Sequence, residues 1–249
     1  MRRAASTLTV IALGTIARGI SAGASADDPV MDMNDAGNFG QIVVDQWELR
    51  DDGAARSGVW EGEGWYGGDY DKLVVRSEGA WPSGAAAQGR VELLWDRIAT
   101  RWWSVQAGAR YDAGGGPGKG WAAVGMRGLA PYWIDTEATL YLGSAGSVAA
   151  RLKAQTDLRI TQRLILQPEL ELNAYSRADR ARQQGAGLPD IDAGLRLRYE
   201  IRRELAPYLG LAWTHRAGEA GGDDAGEGHG VGLGEADQLQ WLIGVRFWF

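Results

Sequence analysis

Few side chains in this sequence could hold a metal ion or attack a bond. The two histidines are His215 and His229, and beyond the start residue the methionines are Met31, Met33 and Met126. Thioether sulfur is a soft ligand and imidazole a borderline one, so this set suits a late transition metal better than a hard cation. Met31 and Met33 flank Asp32. His229 lies in a Gly-rich stretch beside Glu219, Asp223, Asp224, Glu227 and Glu235. A histidine among carboxylates binds divalent cations weakly, and the spacing here matches no defined metal motif. Two methionines at i and i+2 cannot close a tight site alone, and the same pair also fits an unstructured leader remnant. The candidate metal residues are therefore Met31, Met33, His215 and His229. Met126 falls inside a strand pattern and reads as packing. With no Cys, a thiolate site and a disulfide scaffold are excluded. No G-x-S-x-G occurs and the histidines have no matched Ser/Asp pattern, so no catalytic residue is assigned and an enzyme is not expected. Gly114–Lys119 lacks phosphate-loop spacing and follows a strand without opening a helix, so it reads as a turn.

The element that must carry such ligands is clearest at the end of the sequence, in Glu235–Phe249. Leu239, Trp241, Ile243, Val245, Phe247 and Phe249 fall on one face at period two. Gln238, Gln240, Leu242, Gly244, Arg246 and Trp248 fall on the other. Strict alternation places successive side chains on opposite sides of a sheet. An alternating strand ending on Phe resembles the closing strand of bacterial outer-membrane β-barrels, where the end is read by the assembly machinery.

The rest of the chain agrees. Residues 1–26 read as a signal peptide: Arg2 and Arg3, an apolar core from Leu8, and Ala24-Ser25-Ala26 as the cleavage site. Residues 27–38 are expected to form a short disordered periplasmic leader, and 39–249 the barrel. No stretch of about 18 apolar residues follows the signal, so no membrane helix is expected. The 37 Gly and 12 Trp suit turns, crowded barrel positions and interfacial girdles. The net charge of −6 and the lack of a basic run argue against nucleic acid.

Strand patterns cover 39–50, 57–66, 71–81, 87–96, 101–112, 120–129, 132–142, 147–160, 163–176, 187–202, 204–217 and 236–249. Tight connections alternate with longer or Gly-richer ones, apart from the short Gly143 loop, as in barrels with periplasmic turns and outer loops. In 163–176, Leu164, Leu166, Leu170 and Leu172 oppose Gln167, Glu169, Glu171 and Asn173. In 187–202, Leu195 and Leu197 oppose Arg196 and Arg198; in 147–160, Leu152 and Leu158 oppose Arg151, Lys153, Asp157 and Arg159. Periodicity alone cannot separate a soluble core from a lipid-facing wall. Aromatics at strand ends, including Trp65, Trp81, Trp95, Trp102, Trp121, Trp133 and Tyr175, favour the membrane, with Trp121 a candidate for facing inward. Asp45 is in phase with both Val43 and Trp47, which leaves the first strand's facing open. The inferred lumen mixes acids and bases in near-equal number. Ion-pair packing is one reading of it and a selectivity-bearing channel the other.

Several segments together resemble the copper resistance protein B family of Gram-negative outer membranes. They are Asp45-Gln46-Trp47-Glu48 with Arg50, Trp65–Lys72, Glu92-Leu93-Leu94-Trp95, Gly120–Trp133, Thr161–Glu169, Gly194–Tyr208 and the Trp-Phe end. The resemblance spans Phe39 to Phe249. It implies an outer-membrane β-barrel that binds copper ions and supports copper tolerance. Many members carry a long Met/His-rich segment before the barrel, and here Met31-Asp32-Met33 stands in its place. The expected fold class is thus all-β: a transmembrane antiparallel up-and-down β-barrel of about twelve strands in the cell outer membrane. Expected partners are outer-membrane lipid, the assembly machinery through Phe249, and periplasmic copper-handling proteins. A porin-like or structural barrel without metal function, and an outer-membrane hydrolase, are the alternatives.

Overall fold

The computed structural model describes residues 37–53, 55–83, 87–114, 116–177, 190–217 and 235–249. The strands are β1 (Phe39–Asp51), β2 (Arg56–Gly67), β3 (Asp71–Pro82), β4 (Gln88–Ile98), β5 (Trp103–Ala113), β6 (Lys119–Ala130) and β7 (Ile134–Gly143). They continue as β8 (Val148–Gln155), β9 (Leu158–Arg159), β10 (Leu164–Tyr175), β11 (Asp190–Tyr199), β12 (Leu205–Ala217) and β13 (Glu235–Trp248). β8 and β9 both pair with β10 and form one interrupted stave, so the wall has twelve staves. The pattern over 147–160 reads as one strand, but Thr156-Asp157 breaks it, and Arg159 ends up exposed.

Each stave pairs antiparallel with its sequence neighbours, and β13 returns to β1, closing the sheet on itself. At the seam, the Phe249 amide donates to the Ile42 carbonyl at 2.9 Å, and the Ile42 amide donates to the Phe249 carbonyl at 3.2 Å. Closure pairs the first and last staves, as a sheet in hydrocarbon requires, while among the described residues the short β9 pairs with β10 alone. Among the described residues no helix is long and apolar enough to cross a membrane; the spanning elements are strands.

Both chain-terminal strand ends and the turns 68–70, 99–102, 131–133, 160–163 and 200–204 gather at one end, the terminus end. The opposite, loop end holds the strand ends that 52–55, 83–87, 114–118, 144–147, 176–189 and 218–234 connect in sequence. The first four are about as short as the turns across from them. The loop asymmetry expected from sequence thus rests on the last two, which lie largely outside the described residues.

A β-bulge settles the facing of β1. The register slips between Val44 and Gln46 against β2, so Asp45 and Gln46 both turn inward and Trp47 turns out. That is why Asp45 appears in phase with Trp47 in the sequence and yet opposes it in the wall. Outward aromatics ring both ends. Trp47, Trp60 and Trp81 pack together toward the loop end, with centroids 5.4 Å and 5.2 Å apart for the two pairs through Trp81. Trp102 meets Trp133 edge-on at the terminus end. Trp65 and Tyr175, girdle candidates by sequence, point inward instead, and Trp121 faces inward as its sequence reading allowed. Trp121 and Tyr175 join Val74, Leu94, Ala123, Tyr141 and Ala149 in an apolar cluster inside the barrel, and Trp65 packs against it.

Candidate ion-handling lumen

Alternation along each stave delivers charged side chains to the interior, where they must find partners because little water surrounds them. They do so across the lumen as well as along the wall. From β3, the Arg76 guanidinium donates to Glu63 on β2 and Glu137 on β7, both at 2.7 Å. From β8, Arg151 donates to Glu78 on β3 at 2.9 Å and to Glu171 on β10 at 2.8 Å. From β6, Arg127 reaches Glu63 at 2.8 Å. Lys153 on β8 bonds Glu61 on β2, and its ammonium lies 3.6 Å from Glu169 on β10. The planar, multidentate arginine fork is what allows one side chain to tie several walls together.

A second knot sits at the seam between β11, β12, β13 and β1. Glu48, 1% exposed, accepts from Arg50 at 2.6 Å, Arg196 at 3.2 Å and the Tyr208 hydroxyl at 3.1 Å. Gly244 makes room for it: a β-carbon there would lie 2.6 Å from the Tyr208 ring and 2.8 Å from Glu48. Arg246 bonds Asp45 at 2.8 Å, which gives the residue displaced by the bulge a partner.

The interior narrows along its axis. A loop-end vestibule of about 320 Å³ is lined by Arg50, Arg90, Glu169, Glu171, Asp190 and Asp192 among others. A terminus-end vestibule of about 440 Å³ is bordered by Trp65, Lys72, Asp96, Gln106 and Arg127. Between them lies a neck of about 40 Å³, which shares Glu61 and Glu78 with the first and Glu63, Arg127 and Asp135 with the second. That volume holds only a few water molecules. Among the described residues lining the neck, carboxylates outnumber cations six to four.

The structure places the candidate metal residues apart from this interior. His215 lies on β12, in phase with the outward residues Leu209, Leu211 and Trp213. Its Nδ1 is 2.7 Å from Asp237 Oδ1 on β13, and its ring stacks on Trp213 at 5.8 Å. Met126 faces outward on β6, 42% exposed. Met31, Met33 and His229 lie outside the described residues. Among the described residues no group of three His, Cys, Asp or Glu is arranged to hold a metal.

Sequence reasoning found the lumen acids Glu169 and Glu171 and the bases Arg151, Lys153 and Arg196. It missed Glu48, hidden by the bulge, and Asp96 and Asp112, which end the strand patterns 87–96 and 101–112 and are buried inside the barrel. Arg127 was also missed, because its inward neighbours Trp121, Ala123 and Gly125 are not polar. The signal that could have found it is its cross-strand partner Glu137, directly opposite in β7.

Fold and lumen together define a transmembrane β-barrel of porin-like build. Among solved structures, the NanC porin superposes with a TM-score of 0.54 at 12% identity, covering 83% of this chain and 98% of that one. The family model described as copper resistance protein B precursor (CopB) matches residues 38–249. The chain is 38% identical over 208 residues to copper resistance protein B of Escherichia coli, covering 84% of this chain and 69% of that protein. It is 42% identical over 204 residues to a copper resistance protein B homolog of Pseudomonas syringae pv. tomato, covering 82% and 67%. The chain belongs to the copper resistance protein B family.

Proposed function

We propose that this chain is a non-enzymatic outer-membrane barrel that binds copper ions as cargo and supports copper tolerance. The observation that carries the reading is the family match across the whole described barrel, residues 38–249. The loop end would face the cell exterior and the terminus end the periplasm, with membrane lipid around the wall. The assembly machinery would engage the Phe249 end, and periplasmic copper-handling proteins would meet the terminus end. Residues 1–26 are assigned as the signal peptide and 27–38 as the leader.

Soft and borderline ligands are few, so copper binding should be modest: one or two ions per chain, held by Met31, Met33, His215 and His229 with nearby carboxylates. A lumen of paired charges offers hard oxygen donors already engaged with arginines, and is the weaker candidate. The test has two arms. Deleting the gene should lower survival on copper, and survival equal to the parent strain would remove the tolerance role. Titrating the purified barrel, replacement of His215 and His229 by Ala should reduce Cu(II) binding more than replacement of Met31 and Met33. The Met pair should matter more for Cu(I). Unchanged binding in both double variants would move the site into the lumen, around Glu61, Glu63, Glu169 and Glu171.

A further inference from the structure

The neck is closed by ion pairs, and its members are not equivalent. Arg76, Arg127 and Arg151 each meet two or more carboxylates through a rigid fork. Such a group is fixed in place and cannot leave without stranding several buried acids. Lys153 is the one lysine among the described residues lining the neck. An ammonium is a compact point charge on a flexible stem, with no preferred fork. It sits between a carboxylate of the far wall, Glu61, and one of the adjacent stave, Glu169. Glu169 is further held by the Gln46 amide, which donates to both its oxygens at 3.2 Å. Glu169 is thus fixed by Gln46 and by Arg196, 3.4 Å away, and the ammonium fills the gap between it and Glu61.

We infer that Lys153 is a tethered counter-ion that closes the lumen: it occupies the place of a permeating cation, and loss of its charge makes the neck a cation-selective passage. The neck already carries more carboxylates than cations. Removing Lys153 deepens that excess in the smallest of the three cavities described, where a low-dielectric wall focuses the field and concentrates counter-ions. The vestibule above it is acid-rich and would feed cations rather than anions. The inference concerns inorganic cations in general and rests on the barrel alone, so a failed copper reading leaves it standing.

Planar-bilayer conductance in potassium chloride tests it without copper. The wild type should conduct weakly, and Lys153→Met should raise the conductance roughly tenfold or more, with a reversal potential favouring K⁺ over Cl⁻. Lys153→Arg should stay near wild type. Because the chain has no Cys, Lys153→Cys creates a unique thiol in the folded barrel. An ethylammonium thiosulfonate reagent should close that variant again, and an ethylsulfonate one should not. If Lys153→Met does not fold, Glu61→Gln serves as the second variant: it leaves Lys153 to Glu169 alone while removing an acid, and should raise conductance without raising cation preference. A wild type as conductive as Lys153→Met, an anion preference in that variant, or indifference of the Cys variant to the sign of the reagent would overturn the assignment. So would a Glu61→Gln barrel more cation-selective than wild type.

Discussion

The two faces of the same staves obey opposite rules. On β10, Glu169 and Glu171 point inward to Lys153, Arg151 and Arg90, while Leu170 and Leu172 point outward. Inside, Arg151 is 4% exposed and Arg198 2%; outside, Trp241 is 68% exposed and Ile243 64%. A soluble sheet buries its apolar face, and an exposed apolar area covering the whole circumference would drive aggregation in water. The inversion teaches that the surroundings of the outer face are hydrocarbon, and that the interior is held by electrostatics rather than by apolar burial. One inward cluster, around Leu94 and Tyr141, departs from the rule; even there Tyr141 donates its hydroxyl to Glu92 at 2.7 Å.

The largest expected effect is on the inner face. Arg151→Met would take a cation from Glu78, Glu137 and Glu171 at once, leaving Arg90 and Arg76 to hold them. Removing one member of a buried ion network costs roughly 3–5 kcal/mol. Reversible unfolding in lipid vesicles should show that loss, and a loss below about 1 kcal/mol would mean that lumen water screens the network as it does a surface pair. Next comes the outer face. Leu170→Arg puts a charge toward hydrocarbon and should cost about 2–4 kcal/mol near mid-depth. Alternation alone would make Glu171→Arg its mild counterpart, but Arg90 and Arg151 beside Glu171 would repel the new charge. The comparison is therefore sharper as Leu170→Arg against Leu170→Phe, which should be nearly neutral. Equal stabilities for these two would show that Leu170 does not face lipid.

How far the sequence discloses all this follows from the same two faces. Wherever inward residues are charged and outward ones apolar, as in β8, β10 and β11, period two reveals the strand and sorts its two faces. Where inward residues are small or aromatic, as along Trp121, Ala123 and Gly125 of β6, the polarity contrast vanishes and the facing cannot be read. A bulge hides it too: one extra residue at Asp45-Gln46 shifts the phase, and Glu48, a hub of the seam, looks no different from a surface acid. Cross-lumen partners are invisible for a deeper reason. Which acid meets Lys153 depends on the closure and stagger of the whole barrel, and Glu61 and Lys153 are 92 residues apart. The metal candidates were chosen by residue type, which says nothing of position. His215 belongs to the outward face at the loop end, far from the charged neck by stave and by facing.

That placement gives the smallest expected effect. His215 and Asp237 are cross-strand partners at the rim, and Asp237 is largely exposed. A half-exposed pair of this kind contributes little, typically below about 1 kcal/mol. The stacking of the His215 ring on Trp213 adds an amount of similar size. Two variants separate these contributions. His215→Phe keeps an aromatic ring against Trp213 and loses the bond to Asp237; His215→Ala loses both. Both should unfold within about 1–2 kcal/mol of wild type, the Phe variant closer to it. Copper titration of the same proteins then becomes clean, because a barrel that is equally stable but binds less Cu(II) has lost a ligand rather than its fold. If His215→Ala instead costs as much as Arg151→Met, the rim is as structural as the lumen. The division of labour between a load-carrying interior and a permissive outer rim would then be wrong.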